Sequence, residues 1–284
     1  GGGAGGAPRA LAPTALLHSP SRRAWAVFFD APPASPKEAR GGAFTLLVAP
    51  AAAAAAGTPL APPPPAWTAP AAGGAFAGDD DRHLLVLEPG GRRVQVFSVA
   101  HSDGAPAPAR TLDLPGGGPR AAIFPGPRWG SLPTSTGAPA GGGSGTVAWQ
   151  AGPGAPLCLG DVAGRSLTPA RALATAPGEM LTSVVWQPLV QAGGERGGGG
   201  ASVVAGVLTT DRLILATAAL APLAVFPSRG HNRPPLTSIL WAGPALLVAD
   251  AGGGVWLAGW DGALHPLASL GASCPASLAA AAPD

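Results

Sequence analysis

The sequence predicts an all-β propeller, incomplete as a ring and carrying long Gly/Pro/Ala-rich disordered insertions, and three observations carry that prediction. First, three fifteen-residue stretches superpose without a gap: LLVLEPGGRRVQVFS at 84–98, VVAGVLTTDRLILAT at 203–217 and LLVADAGGGVWLAGW at 246–260. In each, an apolar run, a break rich in Gly, Thr or Asp, and a second apolar run spell an antiparallel hairpin. Second, LTSVVW at 181–186 precedes the second hairpin as LTSILW at 236–241 precedes the third, so each unit holds at least three strands. Third, the last two hairpins lie 43 positions apart, from Val203 to Leu246, which fits the ~40–45-residue period of a propeller blade. One small sheet cannot bury both of its faces alone. Stacked radially, each sheet covers its neighbour.

Taken in order, the elements are as follows. Residues 1–23 read as a flexible lead-in, and 24–270 as the blades. AWAVFFD at 24–30 and FTLLV at 44–48 are predicted strands. An Ala/Pro insertion at 49–75 follows, too proline-rich for a compact sheet. After the first hairpin, ARTLDLP at 109–115 is the outer strand of that blade and AAIF at 121–124 the inner strand of the next. A second insertion spans 125–145, and TVAWQ with PLCLGDVAG, over 146–164, gives two more strands. The best-defined part is 179–270, broken only by the glycine stretch at 191–201, and 271–284 is a flexible tail. Four or five blades can be counted, so the ring is predicted to be open, with exposed strand edges.

Composition excludes several function classes. The 44 Gly and 35 Pro among 284 residues exceed a quarter of the chain, the level at which low-complexity segments become common. A net charge of +2, with no basic cluster larger than a pair, gives no footprint for nucleic acid. Arg9, Arg22 and Arg23 among Ala, Pro and Ser, ahead of the first acidic residue Asp30, fit an organelle transit peptide and an interblade segment alike. The most apolar uncharged run, 213–228, contains Pro222 and Pro227 and falls short of the ~20 residues that a spanning helix needs. Cys158 and Cys274 stand in no metal or redox spacing and read as two reduced cysteines.

Catalytic signatures are missing from the sequence. Lys37 has neither a glycine loop before it nor Ser or Thr after it, so it is no P-loop lysine. Gly1, Gly3 and Gly6 formally match a dinucleotide fingerprint, but no strand precedes them. His18, His83, His101, His231 and His265 show no pairing that aims two imidazoles at one metal, and they read as loop or surface residues. No nucleophile elbow is present. Three adjacent carboxylates, Asp79, Asp80 and Asp81, read as a solvated turn before a strand, not as a cation site. No catalytic, cofactor-binding or metal-binding residue is therefore assigned, and no cofactor. Trp186, Trp241, Trp256 and Trp260 recur within the repeat and are assigned to blade-to-blade packing. Trp25, Trp67 and Trp129 lie nearer loops and read as lids over the core, with anchoring of a partner as the alternative. Asp211, Asp250 and Asp261 are assigned to capping turn amides.

Three segments then carry a resemblance: VAGVLTTDRLILATAALAPLA at 204–224, LTSILWAGPALLVAD at 236–250 and GWDGALHPLASL at 259–270. Together with EMLTSVVWQ at 179–187, they resemble the second propeller of the large plant and algal WD-repeat subunits of the TPLATE (TSET) endocytic adaptor complex. AWAVFFD and FAGDDDRHLLVLEPGGRRVQVFSV at 76–99 are similar to an earlier blade of those proteins. The WD dipeptide survives at Trp260–Asp261, which makes the repeats divergent WD-repeat-like ones. The resemblance implies a non-catalytic scaffold, part of a vesicle-coat adaptor subunit in clathrin-mediated endocytosis. It implies other coat or adaptor subunits as partners, and a cytoplasmic location peripheral to the plasma membrane or vesicles, with membrane association through the complex. The family's helical solenoid is not found before Asp284. The alternatives are a coatomer-type or other WD-repeat scaffold, and an enzyme with a pocket in the propeller channel.

Overall fold

The computed structural model describes residues 13–19, 24–30, 42–48, 68–77, 82–99, 108–127, 145–162, 164–187, 204–230 and 233–269. They form five four-stranded antiparallel meanders, each built from consecutive strands. Blade 1 holds β1 (Pro13–Ser19), β2 (Ala24–Asp30), β3 (Gly42–Val48) and β4 (Thr68–Ala71). Blade 2 holds β5 (Gly73–Ala77), β6 (His83–Leu87), β7 (Arg93–Ser98) and β8 (Pro108–Asp113). Blade 3 holds β9 (Ala122–Pro125), β10 (Thr146–Gln150), β11 (Leu157–Asp161) and β12 (Thr168–Leu173). In blade 4 are β13 (Leu181–Trp186), β14 (Val204–Thr209), β15 (Arg212–Thr217) and β16 (Pro222–Pro227). In blade 5 are β17 (Leu236–Ala242), β18 (Ala245–Asp250), β19 (Gly254–Ala258) and β20 (Leu264–Ser269).

Each repeated hairpin is the middle pair of a blade, and each LTS segment is an innermost strand. Alternation along every strand gives a blade one face toward the preceding blade and one toward the next. Four apolar cores result, one at each junction. Ala26 and Phe28 meet Phe76, Leu84 and Val86 between blades 1 and 2. Leu85, Val94 and Leu112 meet Ile123, Val147 and Trp149 at the next junction. Leu157 and Leu159 meet Val184, Val207 and Ile214, and Leu208, Leu213 and Leu215 meet Ile239, Leu246 and Val248. The innermost strands pack in the order β1, β5, β9, β13, β17, and among the described residues no comparable packing returns from β17 to β1. The ring is open, as the blade count predicts.

Three sequence expectations are corrected. Strand β1 starts at Pro13, inside the lead-in read as flexible, because PTALLHS pairs with β2 in register from Ala15↔Phe28 to Ser19↔Ala24. Strands β4 and β5 take 68–71 and 73–77, from the end of the tract read as an insertion. Pro70 is tolerated there because β4 is an outermost strand, paired only with β3. At the other insertion, β9 runs through Pro125 and pairs it with Val147. The remainder of 49–75 and 125–145, and all of 191–201 and 271–284, lie outside the described residues.

One repeated feature was not read from sequence. The fourth strand of blades 2 to 5 carries a register shift directly after a proline: Phe97↔Pro108, Gly160↔Pro169, Ala216↔Pro222 and Trp256↔Pro266. The bulged residues are Ala109, Ala170, Leu223 and Leu267. A proline on an edge strand withholds a donor, and a bulge twists the edge; both discourage pairing with a further strand. The sequence signal was available as Pro-Ala-Arg at 108–110 and 169–171 and Pro-Leu-Ala at 222–224 and 266–268.

Candidate interaction surface and the latches that hold it

Polar groups between blades 3 and 4 form a latch around Glu179, which sits in the link into β13 and is fully buried. Oε1 accepts from Thr209 Oγ1 at 2.6 Å and from Arg212 Nε at 2.9 Å; Oε2 accepts from the Ala176 amide at 2.6 Å and Arg212 Nη2 at 3.0 Å. Gln150 at the end of β10 completes it. Its Nε2 donates to the Glu179 carbonyl at 3.0 Å, and its Oε1 accepts from the Leu181 amide at 2.9 Å. Burial pushes the Glu179 carboxyl up, but hydrogen bonds from Arg212, Thr209 and the Ala176 amide, with the Arg212 charge, outweigh it and hold the carboxyl below its ordinary range. The Arg212 side chain is about one-third exposed at 32%. All of these lone pairs and donors are used in holding blades together, which makes the cluster a structural joint.

Trp186 and Trp241 play matching parts. The Trp186 indole donates to the Pro125 carbonyl of blade 3 at 2.8 Å, and the Trp241 indole to the Val185 carbonyl of blade 4 at 3.3 Å. Both act between blades, as the repeat indicated. Trp256 also packs against the core between blades 4 and 5, as the repeat indicated, but its indole donates within its own blade, to Asp250 Oδ2 at 2.8 Å, with Arg233 5.5 Å from the ring centroid. Trp260 is not a packing residue and stands 61% exposed. The expected effect of Trp186→Phe is a loss of about 1 kcal/mol, one net hydrogen bond, with a smaller loss for Trp241→Phe at its longer distance. Urea unfolding midpoints of the two variants check this.

Of the aspartates, Asp250 caps its turn, accepting at Oδ1 from Gly252 and Gly254 amides at 2.8 and 2.9 Å. Asp261 accepts from the Ala263 amide at 3.0 Å and pairs with His265 at 3.0 Å. The Ala263 amide first, and then His265, hold the Asp261 carboxyl below its usual range. In the β14–β15 turn the capping falls to Thr209 Oγ1, which accepts from the amides of Asp211 and Arg212, so the assignment to Asp211 is corrected. A short hydroxyl at the strand end reaches those amides. His265 lies in β20 and is exposed, a surface residue as expected, whereas His83 opens β6 and is partly buried. Cys158 is a free thiol that burial pushes up. Residues Trp67, Asp79, Asp80, Asp81, Trp129 and Cys274 lie outside the described residues. Nothing is assigned to the Trp25 side chain.

Among the described residues, no group of three His, Cys, Asp or Glu is placed to hold a metal ion. None of the described elements is a helix long and apolar enough to cross a membrane. What stands out on the surface is apolar. Leu223 (51% exposed) and Val225 (49%) lie on β16, Leu267 (55%) lies on β20, and Trp260 precedes that strand. The rim of blades 2 and 3 differs: β8 and β12 turn out Thr111, Asp113, Thr168 and Ala172. The outer edge is therefore polar or small on one side of the molecule and apolar on blades 4 and 5. Surface exposure of large apolar groups on a rigid frame is what a protein-docking face provides.

No family model matches the sequence, and no curated protein matches it. Among solved structures, the chain is similar to one in the mitotic checkpoint complex, with a TM-score of 0.51, 13% identity, and coverage of 92% of this chain and 68% of that one. It is also similar to Sqt1 of Saccharomyces cerevisiae, with a TM-score of 0.52, 12% identity, and coverage of 91% and 62%. These neighbours are WD40 β-propellers, and five meander blades stacked in chain order place this chain in the same fold class. It spans only part of each neighbour's length.

Proposed function

We propose that the chain is a non-catalytic scaffold whose apolar rim on blades 4 and 5 docks another protein, and that it belongs to a vesicle-coat adaptor subunit acting in clathrin-mediated endocytosis. The observation that carries the docking role is the exposure of Leu223 and Val225 on β16 and Leu267 on β20, the outer strands of consecutive blades, with Trp260 in the turn that precedes β20. Tryptophan in particular is enriched among the residues that dominate interface energies. The Glu179 carboxylate is buried and takes all its named donors from the protein, and Gln150 ties it to blade 3, which fits a frame for binding better than a reaction centre. Support for the coat assignment comes from the sequence resemblance over 179–270 to the large WD-repeat subunits of the TPLATE complex. On this reading the partners are other coat or adaptor subunits, nucleic acid is not among them, and the protein is cytoplasmic and peripheral to plasma membrane or vesicles through its complex.

The test is affinity purification of the tagged full-length protein from its own cells, beside a Trp260→Ala/Leu267→Ser variant. The expected result is recovery of endocytic adaptor subunits with the wild type and at least a tenfold loss with the variant, while the thermal midpoint stays within a few degrees. Recovery of coatomer-type subunits instead moves the assignment to that coat. Equal recovery by both proteins overturns the rim as the docking face.

A further inference from the structure

Folding gathers at the junction of blades 2 and 3 a group of arginines of which the sequence shows only the Arg92–Arg93 pair. Arg92 lies in the β6–β7 connection, Arg93 opens β7, Arg120 lies in the β8–β9 link and Arg165 in the β11–β12 turn; all four are exposed. The end of β8 ties three of these positions together. The Leu114 amide donates to the Arg92 carbonyl at 2.8 Å, the Asp113 amide donates to the Arg165 carbonyl at 3.0 Å, and the sheet register pairs Arg93 with Asp113. The segment that carries Arg120 is fixed on the same turn, because a β-carbon at Gly91 would meet the Gly118 carbonyl, which itself accepts from the Ala121 amide at 2.8 Å. Each of these joints uses main-chain groups, so the guanidinium groups are not consumed by them. Arg93 Nε stands 3.8 Å from Asp113 Oδ1 with the two side chains 62% and 74% exposed, a solvated pair that holds little. Glu88, the other carboxylate of this turn, accepts from Gln95 Nε2 at 3.1 Å. The outer strands extend the asymmetry: directly after the bulge, blades 2 and 3 carry Arg110 and Arg171 where blades 4 and 5 carry Ala224 and Ala268.

We propose that this junction docks an acidic segment of a protein partner, whose carboxylates pair with Arg92, Arg93, Arg120 and Arg165. Four guanidinium groups against two carboxylates leave the surface positive, and a planar guanidinium fork matches a carboxylate in two parallel hydrogen bonds. A positive patch meeting a negative segment also speeds encounter and rejects basic partners. The close backbone contacts hold the three loops before any partner arrives, which lowers the ordering cost of binding. An anionic membrane is the less suitable occupant. Peripheral membrane contacts combine basic charge with apolar side chains that enter the interface, and the large exposed apolar groups among the described residues, Leu223, Val225, Trp260 and Leu267, all lie on blades 4 and 5. This second surface is independent of the apolar rim and of the coat assignment, since neither enters its geometry.

The test is fluorescence anisotropy of a fluorescein-labelled oligoglutamate peptide titrated with the whole chain. Wild type is expected to bind it at low ionic strength with a Kd of about 100 μM or tighter, and to release it as salt is raised. Arg92→Glu and Arg165→Glu are each expected to weaken binding roughly fivefold or more. Arg229→Glu, in the β16–β17 link, makes the same change of net charge outside the cluster and is expected to stay within about twofold of wild type. Circular dichroism checks folding, and Arg92→Gln or Arg165→Gln replaces a charge reversal that loses the native spectrum. A wild type that does not bind the peptide at low salt overturns the proposal, as does undiminished binding by the folded Arg92 and Arg165 variants. An equal loss in Arg229→Glu overturns it too, because net charge alone then accounts for the binding. Phosphatidylserine vesicles form the other arm: co-sedimentation of wild type that is lost in Arg165→Glu, without peptide binding, makes this face a membrane contact and overturns the acidic-segment assignment.

Discussion

Replacing Glu179 by alanine is expected to lower the unfolding free energy by about 2–4 kcal/mol, the largest effect of any single polar change in the described residues. The substitution removes the acceptor for four donors at once: Thr209 Oγ1, Arg212 Nε and Nη2, and the Ala176 amide. Arg212 regains some water through its exposed third, which keeps the loss below the upper end for a sealed pair. A cycle with Arg212→Met separates the pairing energy from the cost of an abandoned guanidinium, and the double variant is expected to be less destabilised than the sum of the two singles. The pH dependence follows from sign. The folded carboxyl titrates below its unfolded value, so the latch contributes fully above the unfolded carboxyl range, near pH ~4.3, and its contribution fades as pH falls through the folded value. Stability of the wild type is therefore expected to drop more steeply on acidification below about pH 5 than that of Glu179→Gln, measured by denaturant midpoints across pH.

Gly91→Val is expected to be at least as damaging, costing roughly 3 kcal/mol or more, because strain and collision add. Gly91 ends the β6–β7 hairpin turn at φ 66°, with its amide bonded to the Glu88 carbonyl at 2.8 Å. The connection from β6 to β7 runs over residues 88–92 and is closed by the Glu88 amide donating to the Arg93 carbonyl, and its left-handed position is one where a β-branched side chain is strained. A β-carbon at Gly91 would also fall on the Gly118 carbonyl oxygen in the link to blade 3, and one at Gly117 on the Gly91 carbonyl. Two backbones meet there with no room between them. By contrast, Gly90, with nothing within 4 Å of an added β-carbon and no left-handed φ, is expected to accept alanine with a change within about 0.5 kcal/mol. Thermal unfolding of Gly91→Val beside Gly90→Ala checks both.

The hairpins were legible because their signal is dense: alternating or continuous apolar runs broken by a turn, repeated in register. The LTS strands were legible by repetition alone. Strand β1 was not, since PTALLHS mixes small, polar and apolar residues and has no matching copy to align with. Strands β4 and β5, TAPA and GGAFA, are short and built mostly of Ala, Gly and Pro, with Phe76 their one large apolar side chain, and they pair along β3 and β6. β12 escaped notice for a similar reason; TPARAL is mostly exposed and buries only Leu173. Outer strands in general were weakly signalled, since they pack on one side only, although the proline bulge marks them once their register is known.

The site was less legible than the fold. Trp186 and Trp241 could be assigned to the junctions because they end equivalent strands, whereas Trp260, two residues beyond β19, looks the same in sequence and faces solvent. Glu179 gave no sequence signal at all. A single carboxylate in a turn acquires its role only when folding brings Thr209 and Arg212, thirty residues further along, against it.

Amide hydrogen exchange, read peptide by peptide under native conditions, tests most directly whether the blades support one another as a stack. The account predicts that the central hairpins β6–β7, β10–β11 and β14–β15 exchange slowest and open together. β18–β19, covered on one face, should come next, and the outer strands β8, β12, β16 and β20 should exchange fastest. Independent opening of each hairpin, or outer strands as protected as the central ones, would contradict the stacked-blade arrangement.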